Sequence, residues 1–348
     1  MIDLFTPYKI KGLELKNRIV MPPMCQYSVK NKDGIATKWH YTHYLSRAIG
    51  GTGLIIVEMA DVEPDGRISD YDLGLWSDDQ IEPLKTIVDE CHEYGTKMAI
   101  QIGHAGRKAE DAKVPLAPSA IAFNEKYKVP RELTTEEVKQ LVEKFKLATR
   151  RAVKAGFDAI EIHGAHGYII HQFHSPLTNR RNDEYGKDLT KFGCEVIKAA
   201  KEEMPKDMPL IMRVSGKEYV KGGYDINYGI EVSRAYQKAG ADIFHISSGG
   251  EGEVLATEEG PGTHAAYQVN FARKIKYALD TDVIAVGRLE APEIANAIIG
   301  NEDADLVAIG RGMFINPYWA LEAGVKLNKI TEVPIQYQYA FPKDMKKR

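Results

Sequence analysis

Short runs of β-branched and apolar residues recur along the chain, each followed by a longer stretch in which apolar positions return every three or four residues. The short runs are NRIVMPP (17–23), GLIIVE (53–58), KMAIQIG (97–103), FDAIEIH (157–163), LIMRVS (210–215), DIFHIS (242–247), DVIAVG (282–287) and DLVAIG (305–310). Most lack clean alternation, as parallel strands buried on both faces do. The longer stretches include QIEPLKTIVDECHEYG (80–95) and TTEEVKQLVEKFKLATRRAVKAG (134–156). The second opens on Thr135 with glutamate beside it and ends at Gly156, the chemistry of a helix start and stop. Eight such units in even order predict an α/β fold, a single-domain (β/α)8 TIM barrel over residues 1–330, with a tail over 331–348. An open doubly wound sheet is the rival, but no G-x-G-x-x-G joins a strand to a helix.

In such a barrel the chemistry gathers at the C-terminal strand ends. Those ends read Pro23-Met24-Cys25-Gln26-Tyr27, Glu58-Met59, Gln101 to His104, His163 to Tyr168, Arg213, Ser247-Ser248-Gly249, Gly287-Arg288 and Gly310-Arg311. The set is polar, aromatic and rich in arginine, and Glu58 and Glu161 are almost its only carboxylates. The last two strands both end in Gly-Arg, where barrels often bind phosphate. Gly287 and Gly310 let backbone N–H groups approach an anion, and Arg311 offers it a planar fork. Arg213 is costly inside a barrel unless an anionic or electron-rich group meets it. A phosphorylated aromatic cofactor across the mouth would explain both features; an ion pair from Arg213 to Glu58 or Glu161 is the alternative. Cys25 is either a small buried hydrophobe or a group at that mouth.

The stretch EIHGAHGYIIHQFH (161–174) holds His163, His166, His171 and His174. A zinc hydrolase would use carboxylates beside its histidines, and the first pair stands at a strand end, where no helical metal face exists. No metal site is therefore expected. His171 and His174 read as scaffold, and His40 and His43 as the opening of the first helix. The loop after the third strand, 103–134, is the longest irregular stretch, and its His104 and Lys108 either approach the site or close the loop.

Composition narrows the partners. The 348 residues carry 46 Lys+Arg against 49 Asp+Glu, a net charge of −3, with no long basic run, which excludes a nucleic-acid footprint. Three cysteines, Cys25, Cys91 and Cys194, with no C-x-x-C argue against disulfides, iron–sulfur clusters and zinc ribbons, and favour a reducing cytoplasm. Neither a signal-like start nor 18 uninterrupted apolar residues occur, so no membrane association is expected.

Several stretches together resemble the Old Yellow Enzyme family of flavoprotein ene-reductases, particularly its thermophilic-like subclass: LFTPYKIKGLELKNRIVMPPMCQYS, DLGLWSDDQI, QIGHAGRKA, APSAIAF, GFDAIEIHGAHGYIIHQFHSPLTNRRNDEYG, SSGG and IGRGM. The likeness runs from residue 4 to about 318. It implies non-covalent FMN across the barrel top and NADPH or NADH as hydride donor. On that resemblance Pro22, Pro23, Met24, Cys25 and Met59 line the flavin, Gln101 bonds its pyrimidine edge, and Arg213 sits near N1 and O2. Gly287, Gly310 and Arg311 fall at its phosphate. Tyr27 helps bind substrate, His163 and His166 hold the substrate's activating oxygen, and Tyr168 is the proton donor. The implied substrates are activated alkenes (enones, enals, maleimides, nitroalkenes), and the implied assembly is a homo-oligomer, dimer or tetramer.

Three departures stand out. After NRRNDEYG the chain continues KDLTKFGCEV where the family has a Gly-Ser turn and an Asn-Arg-x-Arg-Phe run. Near the C-terminus the subclass carries an arginine that enters the neighbouring subunit's active site; here the stretch is PIQYQYAFPKDMKKR, and Tyr339 takes that place. Pro22 stands where a small polar residue is common, and it has no N–H to donate.

Overall fold

A computed structural model describes residues 2–252, 262, 264–329 and 331–343. Among them, eight parallel strands close on themselves: β1 Ile19–Met21, β2 Leu54–Asp61, β3 Lys97–Gly103, β4 Ala159–Gly164, β5 Leu210–Ser215, β6 Ile243–Ser247, β7 Asp282–Val286 and β8 Leu306–Ala308. Each pairs with its sequence neighbours, and β8 pairs with β1 to complete the barrel. The crossover helices are α1 Lys38–Ile49, α2 Ile81–His92, α3 Thr135–Lys154, α4 Lys191–Glu203, α5 Ile226–Ala239, α6 Val269–Leu279, α7 Pro292–Gly300 and α8 Trp319–Lys326. The expected (β/α)8 barrel is the observed one.

Strand residues that looked continuously apolar divide between two cores. On β2, Ile55 and Val57 pack outward under the helices, while Leu54 and Ile56 point into the barrel with Ala99, Ala159, Ile211, Ile243 and Ile284. An antiparallel hairpin, Tyr8–Ile10 with Leu13–Leu15, closes the N-terminal end by packing Tyr8, Leu13 and Leu15 against that inner cluster. The bottom of the barrel is thus dry, and polar side chains collect at the opposite mouth.

The periodicity missed some local detail. Strand β2 runs past Glu58 to Asp61 through a register irregularity between Val57 and Ala60, so Met59 lies within the strand, not after it. Helix α3 is capped by Thr134, not Thr135: the Thr134 hydroxyl accepts from Glu137 N–H and the Glu137 carboxylate accepts from Thr134 N–H. The loop after β3 is less irregular than expected, containing a 3-10 turn at Gly106–Lys108 and a short pairing of Leu116–Ala117 with Arg131–Glu132.

Helix α1 opens with a variant of the same cap, in which His40 Nδ1 accepts from Thr37 N–H at 2.9 Å. That cap requires neutral imidazole, and burial depresses His40 to about 4. His43, also buried, is depressed to about 3. The unfolded chain takes up these protons first, so the stabilisation present above the ordinary histidine value is lost as pH falls from about 6.5 toward 4, by roughly 1.4 kcal/mol per unit of displacement. Replacing His40 with Gln keeps a cap-competent group without a titrating ring. Thermal midpoints of the His40→Gln protein should fall less steeply than wild type between pH 6.5 and 4; parallel slopes would refute the assignment.

Candidate active site

The mouth is built from strand ends. After β1 the chain passes through Pro22, Pro23 and Met24, which line a cavity together with Arg213 of β5, Gly287 beyond β7, and Gly310 and Arg311 beyond β8. Those seven expected positions meet in one place. His166, Ser247, Tyr267 and Gln268 line the same cavity; the last two come from the segment leading into α6, where nothing in the sequence pattern marks them. Gly287 has φ +127°, a left-handed-side conformation that favours glycine. A Cβ at Gly310 would sit at ordinary contact distance, 3.5 Å from Met24 Sδ and 3.6 Å from Pro22 Cγ, so this glycine packs beside the loop after β1.

Arg213 makes neither of the ion pairs considered for it. Its Nε is buried without a hydrogen-bond partner among the described residues. Glu58 is engaged elsewhere, accepting from Gln26 N–H at 2.7 Å and from the Tyr44 hydroxyl at 2.9 Å. It thereby holds the loop that carries Cys25. Glu161 accepts from Gln101 Nε2 and from His245 Nδ1, both at 2.7 Å. A buried guanidinium N–H without a partner is a donor awaiting an acceptor.

The second group stands on the far side of His166. Cys25 and Tyr168 pack on Met59, Ile68 and Ala105. Tyr27, at φ +49° and half exposed, lies beside the Cys25 thiol. His163 joins the two groups: its ring centre is 5.1 Å from that of His166 and 4.9 Å from that of Tyr168, edge-on to both.

The turn between them is held by side chains. His166 (φ +59°) and Gly167 (φ +70°) both adopt left-handed backbone. His166 N–H donates to Ser215 Oγ, and its carbonyl accepts from Lys108 Nζ at 2.9 Å. Gly167 N–H donates to His171 Nδ1 at 3.0 Å, and its carbonyl accepts from Gln172 Nε2 at 2.7 Å. Lys108 therefore ties the loop after β3 to this turn, with Nζ 5.1 Å from the Tyr168 ring centre. His104 closes the same loop, accepting from Gly106 N–H and facing Glu63 at 3.0 Å.

These contacts assign tautomers. His163 Nδ1 accepts from Ala165 N–H, so its proton is on Nε2, which has no partner among the described residues. His166 Nε2 is 2.6 Å from Ser247 Oγ. Burial, and next the Arg213 charge, hold both imidazoles well below their ordinary value, so both are neutral. Burial likewise raises the Tyr168 phenol and the Cys25 thiol well above theirs. His166, Tyr168 and Cys25 each keep an edge toward the cleft, but protein surrounds the rest. The site consists of neutral donors beside the cations Arg213, Lys108 and Arg311.

His171 has two buried carboxylates beside it, Glu218 at 2.9 Å and Glu251 at 3.9 Å. The expectation that almost no carboxylates stand at this face is corrected here; they arrive on the loops after β5 and β6, outside the strand ends. The trio has the spacing of a cation site. Yet His171 Nδ1 accepts from Gly167, which puts the proton on Nε2 and removes the lone pair that would bind a metal. His174 bonds Tyr236 and stacks on His171.

The fold and these groups describe a barrel oxidoreductase of the cofactor-dependent class, in which protein donors polarise and a separate group carries electrons. The sequence profile of the NADH:flavin oxidoreductase / NADH oxidase family matches residues 3–329. The NADPH dehydrogenase of Listeria monocytogenes serotype 4b (strain CLIP80459) is 47% identical over 344 residues, covering 98% of this chain and 100% of that protein. The NADPH dehydrogenase of Bacillus subtilis (strain 168) is 45% identical over 338 residues, covering 96% and 98%. The structure of morphinone reductase in complex with tetrahydroNAD matches with a TM-score of 0.79 at 26% identity, over 100% of this chain and 95% of that one. The chain belongs to this family, the Old Yellow Enzymes, and is an FMN-dependent NAD(P)H oxidoreductase.

One buried group takes no part in these contacts. Asp61, at the end of β2, is wholly buried, and neither carboxylate oxygen has a hydrogen-bond partner among the described residues. Burial, and then Asp72, push its carboxyl well above the ordinary value. The folded state thus favours the protonated form, and stability is lost as pH rises from the unfolded value toward the folded one. Asp61→Leu, nearly isosteric and apolar, should raise unfolding free energy at pH 7 by about 1–3 kcal/mol. The gain should shrink toward pH 4; denaturant titrations at the two pH values test both points.

Proposed function

We propose that the enzyme reduces the C=C bond of activated alkenes such as enones, enals, maleimides and nitroalkenes, with NADPH or NADH as the electron source. The observation that carries this reading is the neutral His163 Nε2–H, unpartnered and edge-on beside a protonated Tyr168. FMN, when bound, would supply the redox chemistry, a ping-pong hydride relay from the nicotinamide through N5 to the alkene carbon β to the activating group. The residues that would hold it are Pro22, Pro23, Met24, Cys25 and Met59 around the ring, Gln101 and Arg213 at the pyrimidine edge, and Gly287, Gly310 and Arg311 at the phosphate. The unpartnered Arg213 Nε fits an electron-rich N1 and O2 edge.

The protein's own work is polarisation and proton supply. As charge builds on the substrate's carbonyl or nitro oxygen, His163 donates to it from Nε2. His166 joins by exchanging Ser247 for that oxygen. Two neutral donors aimed at a developing oxyanion lower the barrier without bringing a proton of their own into play. Tyr168 then delivers its phenolic proton to the α-carbon, a transfer helped by the Lys108 cation near its ring. Tyr27, half exposed at the rim, borders the substrate space. Three free cysteines support a cytoplasmic setting, and no helix among the described residues is long and apolar enough to cross a membrane.

A Tyr168→Phe protein should lose its yellow flavin absorbance under nitrogen on NADPH addition as fast as wild type. Its reoxidation by cyclohexenone should be slower by about 10²–10⁴-fold. Reoxidation at the wild-type rate would remove Tyr168 from the mechanism, and a colourless protein that takes up no FMN would remove the whole reading.

We propose also that the tail packs on a neighbouring copy in a homo-oligomer. Residues Ile335–Ala340 form a 3-10 turn with no buried residue, and Tyr339 is fully exposed. Phe314 and Ile315, beyond β8, are exposed as well, and Tyr318 meets Tyr337 with ring centres 5.7 Å apart. This aromatic surface supports a subunit contact, with Tyr339 as an aromatic replacement for a cationic lid; residues 344–348 lie outside the described part. Deleting 338–348 should change KM for cyclohexenone and shift the elution volume in size-exclusion chromatography. Unchanged values of both would reject the idea.

A further inference from the structure

Beneath Arg213 lies a buried polar trio of which the proposed mechanism uses only Gln101. Gln101 on β3 and Glu161 on β4 are in register on neighbouring strands, with Gln101 Nε2 donating to Glu161 Oε1 at 2.7 Å. Glu161 Oε2 faces His245 Nδ1 of β6 at 2.7 Å. That contact reaches across β5, the strand carrying Arg213, which is in register with His245. All three side chains are 2% exposed or less. A carboxylate is acceptor-only, so it dictates the polarity of both neighbours. His245 must present Nδ1–H, and its Nε2 is left without a partner. Gln101 must present its NH2 to Glu161; the flipped carboxamide would set two oxygens against each other at 2.7 Å. The Gln101 carbonyl oxygen, with no partner among the described residues, is left to face away from the trio.

We propose that Glu161 and His245 are a positioning pair for the cofactor: they lock the Gln101 carboxamide with its carbonyl oxygen toward the flavin, ready to accept from the N–H of the pyrimidine edge. This rests on the placement of Gln101 at that edge. The chemistry explains why a carboxylate and an imidazole occupy an otherwise apolar barrel interior. A free carboxamide beside a flavin, whose pyrimidine edge offers both N–H and C=O, would populate both orientations. A locked one offers the acceptor before FMN arrives, and Arg213 supplies the donor for the neighbouring carbonyl.

The test is a double-mutant cycle read as FMN affinity. Wild type, Glu161→Gln, Gln101→Leu and the double variant are stripped of flavin, and each full-length apoprotein is titrated with FMN while the quenching of flavin fluorescence is followed. Glu161→Gln keeps the shape and removes the acceptor-only character. It should weaken FMN binding by about tenfold when Gln101 is present and cause no further loss when Gln101 is Leu. Equal losses in both backgrounds would mean that Glu161 acts only on the scaffold, and would overturn the pair's role while leaving Gln101 at the cofactor. If Gln101→Leu alone leaves FMN affinity unchanged, the placement of Gln101 fails and the pair's role with it. Should Glu161→Gln fold poorly, His245→Phe provides the second route: it removes the Nδ1–H grip at similar volume, and its smaller loss of affinity must likewise vanish without Gln101.

Discussion

The conformation of two residues, His166 and Gly167, underlies the rest of the site. Both sit at positive φ, which costs a histidine on the order of 1–3 kcal/mol. Gly167 also lies against Gly250, close enough that a Cβ would strike the Gly250 carbonyl. Their N–H and C=O groups are taken by Ser215, Lys108, His171 and Gln172, from three separate segments. This over-determination keeps the turn in place, and the turn in turn aims His163, His166 and Tyr168 at one cleft. His171 therefore matters to this geometry: its Nδ1 holds the Gly167 peptide, which separates His166 from Tyr168.

Burial sets the protonation states around that turn. Imidazoles are lowered and phenol and thiol are raised by the same cause, the cost of placing charge in a poorly hydrated mouth. The result is a set of groups that donate hydrogen bonds while remaining uncharged near neutral pH. The cations beside them are Arg213, Lys108 and Arg311, and the Arg213 Nε has no hydrogen-bond partner among the described residues. A hydrolytic metal centre would need the reverse, with lone pairs directed inward. Here the lone pairs of His163 and His171 are consumed by backbone N–H groups.

Much of the fold was legible because barrel strands have a strong signature: a buried parallel strand is apolar at consecutive positions. The strand ends were harder. Glu58 looked like the end of the second strand because it is charged, whereas the strand continues through a bulge to Asp61. The N-terminal hairpin escaped because three-residue strands carry no periodicity. Candidate site residues on strand ends could be read off as a group, since topology alone brings them to one face. Tyr267, Gln268, Glu218 and Glu251 could not, because they lie on loops whose course follows from packing rather than pattern. His171 and His174 were separable from His163 and His166 through the family resemblance, since they lie on the segment leading to SPLTN, outside the family's substrate pair. The correct tautomer of each, however, depends on backbone N–H groups that no sequence pattern displays.

The barrel interior joins these levels. At its base the inner residues are aliphatic and closed by the hairpin, which needs no specific geometry beyond filling space. Toward the mouth the inner residues become Gln101, Glu161, His245 and Arg213, whose value lies in orientation. Buried polar groups are stable only when each donor meets an acceptor, so a gap in that pairing is informative. Among these four residues the gaps fall on the Arg213 Nε–H, the Gln101 carbonyl and the His245 Nε2, one donor and two acceptors. On the proposed placement, a flavin pyrimidine edge would offer the complement to the first two. The barrel interior is thus aliphatic at the base and carries open donors and acceptors toward the mouth, where a planar heterocycle with a donor and acceptor edge would meet two of them.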